Sequence, residues 1–470
     1  TADRAARVRF RRALALMVMT LLVPGSAQLA AGNKRLGRFA VRVWLVLVAL
    51  LAVAALGLLV ARGVVLGVGA HPVTLTILQF AVPALLVGWA VLMVDAWRIA
   101  NPPAMSTRGR VLSGVLTLAL VAGTATVAWS ASTALGGAAH LVENVFAGGG
   151  STQANHGRYN VLLMGGDAGA DRIGMRPDTM IVASIDADTG RTVLFSLPRN
   201  LQWAPIPASN PLHAKYPNGF WCASQECLLN AVYTLAENNK KLFPGVTYPG
   251  AESTREVVGE ILGLEINYWA MIDLKGFEHL INAVGGIRLD ITKRIPIGSL
   301  HGPKGVYDWI EPGKNVKLDG FHALWFARSR EYASDYERMQ RQKCVINAMV
   351  KQLNPTTVVT KFNDIASASE KVVATNLPGD QLGAMLDLAL RGRSLPMSSV
   401  NFAPPLIKPV KPDFAKIKQV VVDKIAASEA KDAPSTPEVS TPSSASPSAS
   451  STKKSTNQSD DLDTVCTVSD

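Results

Sequence analysis

Four charged residues stand at the ends of consecutive apolar runs in the middle of this 470-residue chain. Asn160-Val161-Leu162-Leu163-Met164-Gly165-Gly166 leads into Asp167. Arg176-Pro177-Asp178-Thr179 opens the next run, and Phe195-Ser196-Leu197-Pro198 leads into Arg199. A second arginine pair, Arg328 and Arg330, follows about 130 residues later. A guanidinium offers a planar fork of donors that matches phosphate or carboxylate oxygens, a geometry that a lysine ammonium lacks. Carboxylates beside such forks can hold a hard cation or orient a hydroxyl. The competing reading is that these are salt bridges capping strand ends. One pair would fit that reading, but six such residues around strand ends point to an anion-handling site.

The elements that must position these residues read as mixed α/β. Val161 to Met164, Met180 to Ile185 and Thr192 to Leu197 are apolar and β-branched enough for strands. Asp186-Ala187-Asp188-Thr189-Gly190-Arg191 supplies turn chemistry between the last two, making a hairpin that feeds Arg199. Ser224 to Lys241, Ser253 to Leu262 and Leu274 to Val284 carry helical periodicity, with strands at Tyr268 to Ile272 and Ile287 to Ile291. Gly285-Gly286 reads as a glycine stop to the third of these helices. The economical fold is a central mixed β-sheet flanked by helices. Leu318 to Trp325 reads as a short helix, followed by Phe326 to Arg330 in extended form, so that period-two spacing puts Arg328 and Arg330 on one face. From Tyr336 to about Leu353 the pattern is helical again. Arg338 and Gln342 then share a face, with Asp335 one turn earlier.

The formal charge of +11 raises a nucleic-acid reading, but residues 1 to 150 carry 13 of the 47 Lys plus Arg against 3 of the 36 Asp plus Glu. The remaining residues are near neutral, so no basic face is left for nucleic acid. The basic residues instead flank hydrophobic stretches at Ala13 to Ala31, Val43 to Val60, Val73 to Trp97 and Val111 to Ser130, each near the roughly 20 residues that a bilayer requires. If all four crossed, one of the basic groups around the first would face outward, against the positive-inside bias. Pro24-Gly25-Ser26 and Gln28 also interrupt it, so the first stretch is expected to be re-entrant or interfacial. This predicts a multi-pass cell-membrane protein with its N-terminus inside, three crossings, and everything after about Ser130 outside. A cleaved signal peptide ending near Ser26-Ala27-Gln28 is the alternative, but the apolar run continues past it. Asp95, beside Arg98 at the inner end of the third span, reads as a solvated helix end before it reads as an intramembrane site.

Residues 131 to 157 are rich in Ala, Gly, Ser and Asn and read as a stalk before a domain over 158 to 425. From 426 the chain turns Ser/Thr/Pro-rich, a composition that cannot bury a core and reads as a disordered, wall-spanning tail. Four cysteines, Cys222, Cys227, Cys344 and Cys466, suit an oxidising compartment. Three connectivities are possible, among them a local Cys222–Cys227 loop with Cys344–Cys466 stapling the tail. Their spacing matches no zinc pattern with partner histidines.

Taken in order, five motifs make the chain resemble the LytR-CpsA-Psr family of cell-envelope proteins over roughly 160 to 405. They are the strand ending in Gly166-Asp167, Arg176-Pro177-Asp178-Thr179, Ser196-Leu197-Pro198-Arg199, Val284-Gly285-Gly286-Ile287, and a fifth. That fifth, Leu318-Asp319-Gly320 to Ala323-Leu324, then Arg328-Ser329-Arg330, Asp335, Arg338 and Arg341-Gln342, is the most specific. The resemblance implies a phosphotransferase that moves a glycopolymer from a polyprenyl-pyrophosphate carrier onto peptidoglycan outside the bilayer, with magnesium or manganese. It implies that Arg176, Arg199, Arg328 and Arg330 bind the pyrophosphate and that Asp167 and Asp178 hold the metal, Asp178 also orienting or deprotonating a sugar hydroxyl. Asp335, Arg338 and Gln342 match the last motif and are expected to hold the head group or support the others, unless they form a plain helix-surface network. The chain departs from the family pattern at Trp203, where many members carry another arginine, at Asn200 in place of an aspartate, and at Pro177. These departures bear on which glycan is carried, whether arabinogalactan, a teichoic-type polymer or another.

Two other functions remain from the sequence. One is a polyprenyl-pyrophosphate pyrophosphatase, with water as acceptor in place of the sugar hydroxyl. The other is a non-catalytic lipid-binding or regulatory envelope protein.

Overall fold

The computed structural model describes residues 2–145, 152–167, 176–300, 305–352, 373–432, 461–462 and 466, in two compact units. The first unit is helical. Helix α1 (Ala2–Leu22) ends where Pro24 cannot continue it and Gly25 adopts φ +92°, and the six-residue α2 (Ser26–Ala31) follows. Asn33 then caps α3 (Lys34–Val60) by accepting from the Arg35 and Leu36 N–H groups at 3.0 and 3.3 Å. After α4 (Arg62–Ala70) come α5 (Pro72–Ile99) and α6 (Thr107–Val145). Three segments are long and apolar enough to cross a membrane: Lys34–Val60, Val73–Ala104 and Thr107–Ala139. Helices α1 and α2, which cover the first apolar stretch, are not among them.

Two sequence expectations need correction in this unit. Residues 131–145, read as part of a stalk outside the spans, continue α6 as helix. Alanine is a strong helix former, and the hydroxyls that would favour a turn are satisfied within the helix, as Thr133 is by the Trp129 carbonyl at 3.1 Å. Asp95 is also more than a solvated helix end, because its carboxylate accepts from the buried Gln28 amide at 3.2 Å. The remaining stalk residues 146–151 lie outside the described residues.

The second unit is a three-layer α/β fold around a six-stranded mixed sheet of order β10-β3-β2-β1-β4-β9. Its first three strands are β1 (Arg158–Asp167), β2 (Arg176–Asp186) and β3 (Thr192–Leu197); β4 (Tyr268–Asp273), β9 (Val373–Thr375) and β10 (Ser398–Asn401) complete it. The β1/β2, β2/β3 and β4/β9 pairs are antiparallel, whereas β1/β4 and β3/β10 are parallel. Alternation assigns the two faces. Met180, Val182 and Phe195 face a core with α7 (Ala231–Asn238), α8 (Pro249–Leu262) and α13 (Phe414–Glu429). Ile181, Ala183 and Leu194 face the opposite core with α9 (Leu274–Ala283), α10 (Gly320–Arg328) and α11 (Asp335–Gln352). That second layer also holds two small antiparallel ribbons. One pairs β5 (Ile287–Ile291) with β8 (Gly313–Leu318), and the other pairs β6 (Ile295–Gly298) with β7 (Val306–Ile310). Helix α12 (Leu382–Gly392) precedes β10.

The folded region runs past residue 425. Asp413 caps α13, whose Ile417 and Val421 are buried, and Asp432 beyond it receives Arg191 Nε at 2.7 Å. The tail reading over 433–460 lies outside the described residues, but Leu462 N–H donates to the Met397 carbonyl at 3.0 Å. Cys222 is bonded to Cys227 and Cys344 to Cys466.

Candidate anion-binding site

Strand direction explains why residues far apart in sequence meet. Because β2 is antiparallel to both neighbours, the end of β1, the start of β2 and the end of β3 share one sheet edge. There Gly165 faces Thr179 but Gly166 faces Pro177, so Asp178 is the extra residue of a β-bulge. A bulge re-aims a side chain out of the strand's alternation, and proline, which cannot donate to a ladder, is tolerated at one. Close approach of the strands needs the glycine: a β-carbon at Gly165 would meet Thr179 Cβ at 3.2 Å.

The re-aimed Asp178 carboxylate is held by two guanidiniums. Arg199 Nη1 donates to Oδ1 at 2.7 Å, and Arg330 Nη2 donates to Oδ2 at 3.1 Å. Arg338, only 2% exposed, donates both Nη atoms to the Asp178 backbone carbonyl at 3.3 Å. Asp335 joins the two C-terminal arginines, with Oδ1 2.9 Å from Arg338 Nη2 and 3.3 Å from Arg330 Nε. Three guanidiniums against two carboxylates leave the cluster with surplus positive charge. Burial pushes the Asp178 carboxyl up, but the hydrogen bond from Arg199 and the charges of Arg199, Arg330 and Arg338 outweigh it and hold it below the ordinary carboxylate range. The narrow cleft around it is also lined by Ser196, Met339 and Gln342.

The arginine-bearing segment after α10 differs from its sequence reading. Phe326 to Arg328 are helical, not extended, because Asp319 caps α10 by accepting from His322 N–H at 2.9 Å and the helix runs on to Arg328. Arg328 and Arg330 therefore do not share a strand face. Arg330 joins Asp178, whereas the Arg328 guanidinium lies over the Trp325 ring at 5.0 Å. Gln342 Nε2 donates to the Ala327 carbonyl at 3.2 Å, and Arg341 donates to the Ser329 carbonyl, so the two satisfy the end of α10 and fix the loop between the two arginines. Burial pulls Arg341 down to about 10, which leaves it charged at neutral pH.

Of the residues singled out in the sequence, the structure gathers Asp178, Arg199, Arg330, Asp335, Arg338 and Gln342. Arg176 is exposed at the first position of β2, the ladder partner of Asp167. The Asp167 side chain lies outside the described residues. Two further contributors lie inside the quoted motifs but carry no role from the sequence. Arg341 stands in the fifth motif beside Gln342, and Ser196, in the third, places a buried hydroxyl without a hydrogen-bond partner in the cleft wall.

No group of three or more His, Cys, Asp or Glu side chains that could hold a metal occurs among the described residues. Asp178 offers hard carboxylate oxygens at a partly open site, and magnesium commonly takes one or two carboxylates and completes its shell with phosphate oxygens and water. Both Asp178 carboxylate oxygens accept from guanidiniums here, so an ion would find them open only where Arg199 and Arg330 turn to a bound phosphate.

Fold and cluster together define an α/β protein with an arginine-rich polar cluster at one end of its sheet and an apolar helical unit. The chain belongs to the LytR_cpsA_psr family, whose family model matches residues 132–403. It is 27% identical over 231 residues to the polyisoprenyl-teichoic acid–peptidoglycan teichoic acid transferase TagU of Oceanobacillus iheyensis, covering 48% of this chain and 61% of that one. It is also 27% identical over 226 residues to biofilm regulatory protein A of Streptococcus mutans, covering 47% of this chain and 50% of the relative. The chain thus spans between half and two thirds of these relatives. Among solved structures, protein gbs0355 of Streptococcus agalactiae aligns over 52% of this chain and 76% of its own, with 25% identity and a TM-score of 0.41.

Proposed function

We propose that this protein is a cell-envelope phosphotransferase that moves a glycopolymer from a polyprenyl-pyrophosphate carrier onto peptidoglycan. The observation that carries the reading is the Asp178 carboxylate at a β-bulge, clasped by Arg199 and Arg330 with Arg338 behind it. Teichoic acid transfer in the names of the TagU relatives supports the substrate class.

In this reading the guanidiniums now on Asp178 turn to the pyrophosphate oxygens and spread its charge. An acceptor sugar hydroxyl attacks the glycan-bearing phosphorus, the bridging P–O bond breaks, and polyprenyl phosphate leaves. The hydroxyl proton passes to solvent past Asp178. A carboxylate held below its ordinary range is a weak base, so Asp178 orients the hydroxyl more than it deprotonates it. Phosphoryl transfer asks mainly for positioning and charge neutralisation, which suits a site built of arginines. Asp178, together with Asp167, would hold a magnesium ion, which would supply positive charge against the phosphates. Arg176, exposed at the start of β2 two residues before Asp178, adds a further cation at that strand end.

The cell-membrane location rests on the three apolar helices and their basic flanks, and the extracytoplasmic placement of the α/β unit on its two disulfides. The test is single-turnover transfer by the full chain in nanodiscs, with magnesium, a synthetic polyprenyl-pyrophosphate glycan and uncrosslinked peptidoglycan. Glycan on peptidoglycan, lost in Arg199→Ala, supports the ligase. Polyprenyl phosphate with free glycan phosphate makes it a hydrolase, and tight binding without turnover makes it a binding protein.

A further inference from the structure

Two indole rings outside the cluster are held in a way that core packing does not explain. Trp203 and Trp221 stack with centroids 4.9 Å apart and planes inclined by 13°, yet they remain 39% and 42% exposed. Trp203 does this at φ 57°, a left-handed conformation that is costly for a bulky L-residue and that persists only where the surroundings impose it. They do impose it. Gln202 N–H donates to the Pro409 carbonyl at 2.9 Å, and an isolated bridge ties Ala204 to Phe220, whose N–H donates back at 2.8 Å. Trp221 is fixed from its other side by the Cys222–Cys227 loop.

A strained backbone that holds a rigid, solvent-open aromatic stack marks a binding surface. Trp203 follows Arg199 by four residues, so the two α-carbons lie within about 15 Å even at full extension. A ligand of a few linked units seated there would be long enough to reach Arg199. A prenyl chain needs a continuous apolar trough, whereas these segments expose Asn200, Ser224, Gln225 and Glu226. An indole face beside hydroxyl and amide groups matches the two sides of a sugar ring, its C–H face and its hydroxyl rim.

We propose that Trp203 and Trp221 form a saccharide-binding platform beside the clamp. The identity of its sugar chain, either the glycan of the donor or the glycan strand of the acceptor, rests on the phosphotransferase reading; the platform itself does not.

The test uses the full chain in nanodiscs and two readouts. Saturation-transfer NMR with free N-acetylglucosamine oligomers of one to four units reads the platform without catalysis. Single-turnover transfer from polyprenyl pyrophosphates bearing one or four sugars, with peptidoglycan glycan strands as acceptor, reads its use. Trp203→Ala and Trp221→Ala are expected to weaken the tetrasaccharide about tenfold, with Trp203→Phe retaining most of the affinity and pyrophosphate binding unchanged. A rise in donor KM that grows with sugar number assigns the platform to the donor; a rise confined to the glycan strand assigns it to the acceptor. Absence of oligosaccharide binding by the wild type, unchanged binding in both variants, or a loss that tracks prenyl length overturns the proposal. Oligosaccharide binding without any wild-type transfer would sink the phosphotransferase reading and leave the platform standing.

Discussion

Asp178 occupies the extra position of the β1–β2 bulge, and Arg199, one residue past Pro198 at the end of β3, donates to its carboxylate at 2.7 Å. The bulge takes the carboxylate out of the strand's alternation, and the shared sheet edge brings the arginine to it. In the free protein the carboxylate holds the guanidinium in place, and a pyrophosphate would compete for the same fork. Arg199→Ala is therefore expected to lower transfer on the order of 10² to 10³, and Arg199→Lys to recover only part of it, since an ammonium keeps the charge and loses the planar fork. Single-turnover rates of the three proteins decide this; equal rates would remove Arg199 from the site.

The same pair predicts an acid dependence with a definite sign. The folded-state Asp178 carboxyl lies below its ordinary value, because its arginines outweigh the effect of burial. Its contribution to stability is complete above the ordinary carboxylate pKa and is lost as pH falls through the lower folded value. Asp178→Asn should flatten the fall in thermal stability below about pH 4 and leave the profile near neutrality unchanged in shape. Melting curves between pH 2 and 6 for both proteins provide the check.

Arg338 tests whether the last motif is a surface network or part of the site. It is buried, and it feeds both the Asp178 carbonyl and Asp335. Lysine there would leave the carbonyl or the carboxylate without its donor. Arg338→Lys is expected to cost about 1–3 kcal/mol of stability and to reduce transfer with it, through the displaced Asp178. A surface network would leave both unchanged.

Gly320 is where α10 touches α9. Its N–H donates to Asn282 Oδ1 at 2.7 Å, and a β-carbon would fall on the Glu278 carbonyl. Gly320→Ala should push α10 away and cost about 1–3 kcal/mol, moving Arg330, two residues past the far end of that helix. A lowered melting temperature with weakened pyrophosphate binding is the expected pair of results.

Much of this was legible in the sequence, and the exceptions have physical reasons. Thr192–Leu197 and Ile287–Ile291 were read to the residue because an apolar run and turn chemistry bounded each. The spacing of Arg328 and Arg330 suggests a strand, but the helix that Asp319 caps continues through Phe326 and Ala327 to Arg328. Strand β10 went unread because Ser399 and Asn401 are polar although buried, a pattern that makes sense only once Lys343 and Ser399 are seen to meet. The bulge at Asp178 had one local signal, Pro177 inside a strand. Which arginines converge depended on strand order, which no local pattern carries.

Lys343 gives the last prediction. It is fully buried on α11, with Nζ donating to Ser399 Oγ at 2.9 Å, and burial pulls it down to about 7. The unfolded chain holds this proton up to about pH 10.5, whereas the folded chain releases it near 7. Below 7 both states are protonated and the folded state carries the full cost of a buried charge. Between those values the unfolded state binds more protons, so stability contributed here rises with pH and is complete only above the unfolded value. Lys343→Met keeps the volume and removes the charge. It is expected to stabilise the protein by a few kcal/mol, on the order of magnitude that such shifts imply, at pH 6, by less at pH 9, and hardly at all above about pH 10.5. Thermal unfolding at these three values measures it, and a gain that does not shrink with rising pH would mean that the lysine is paired or hydrated in the folded protein.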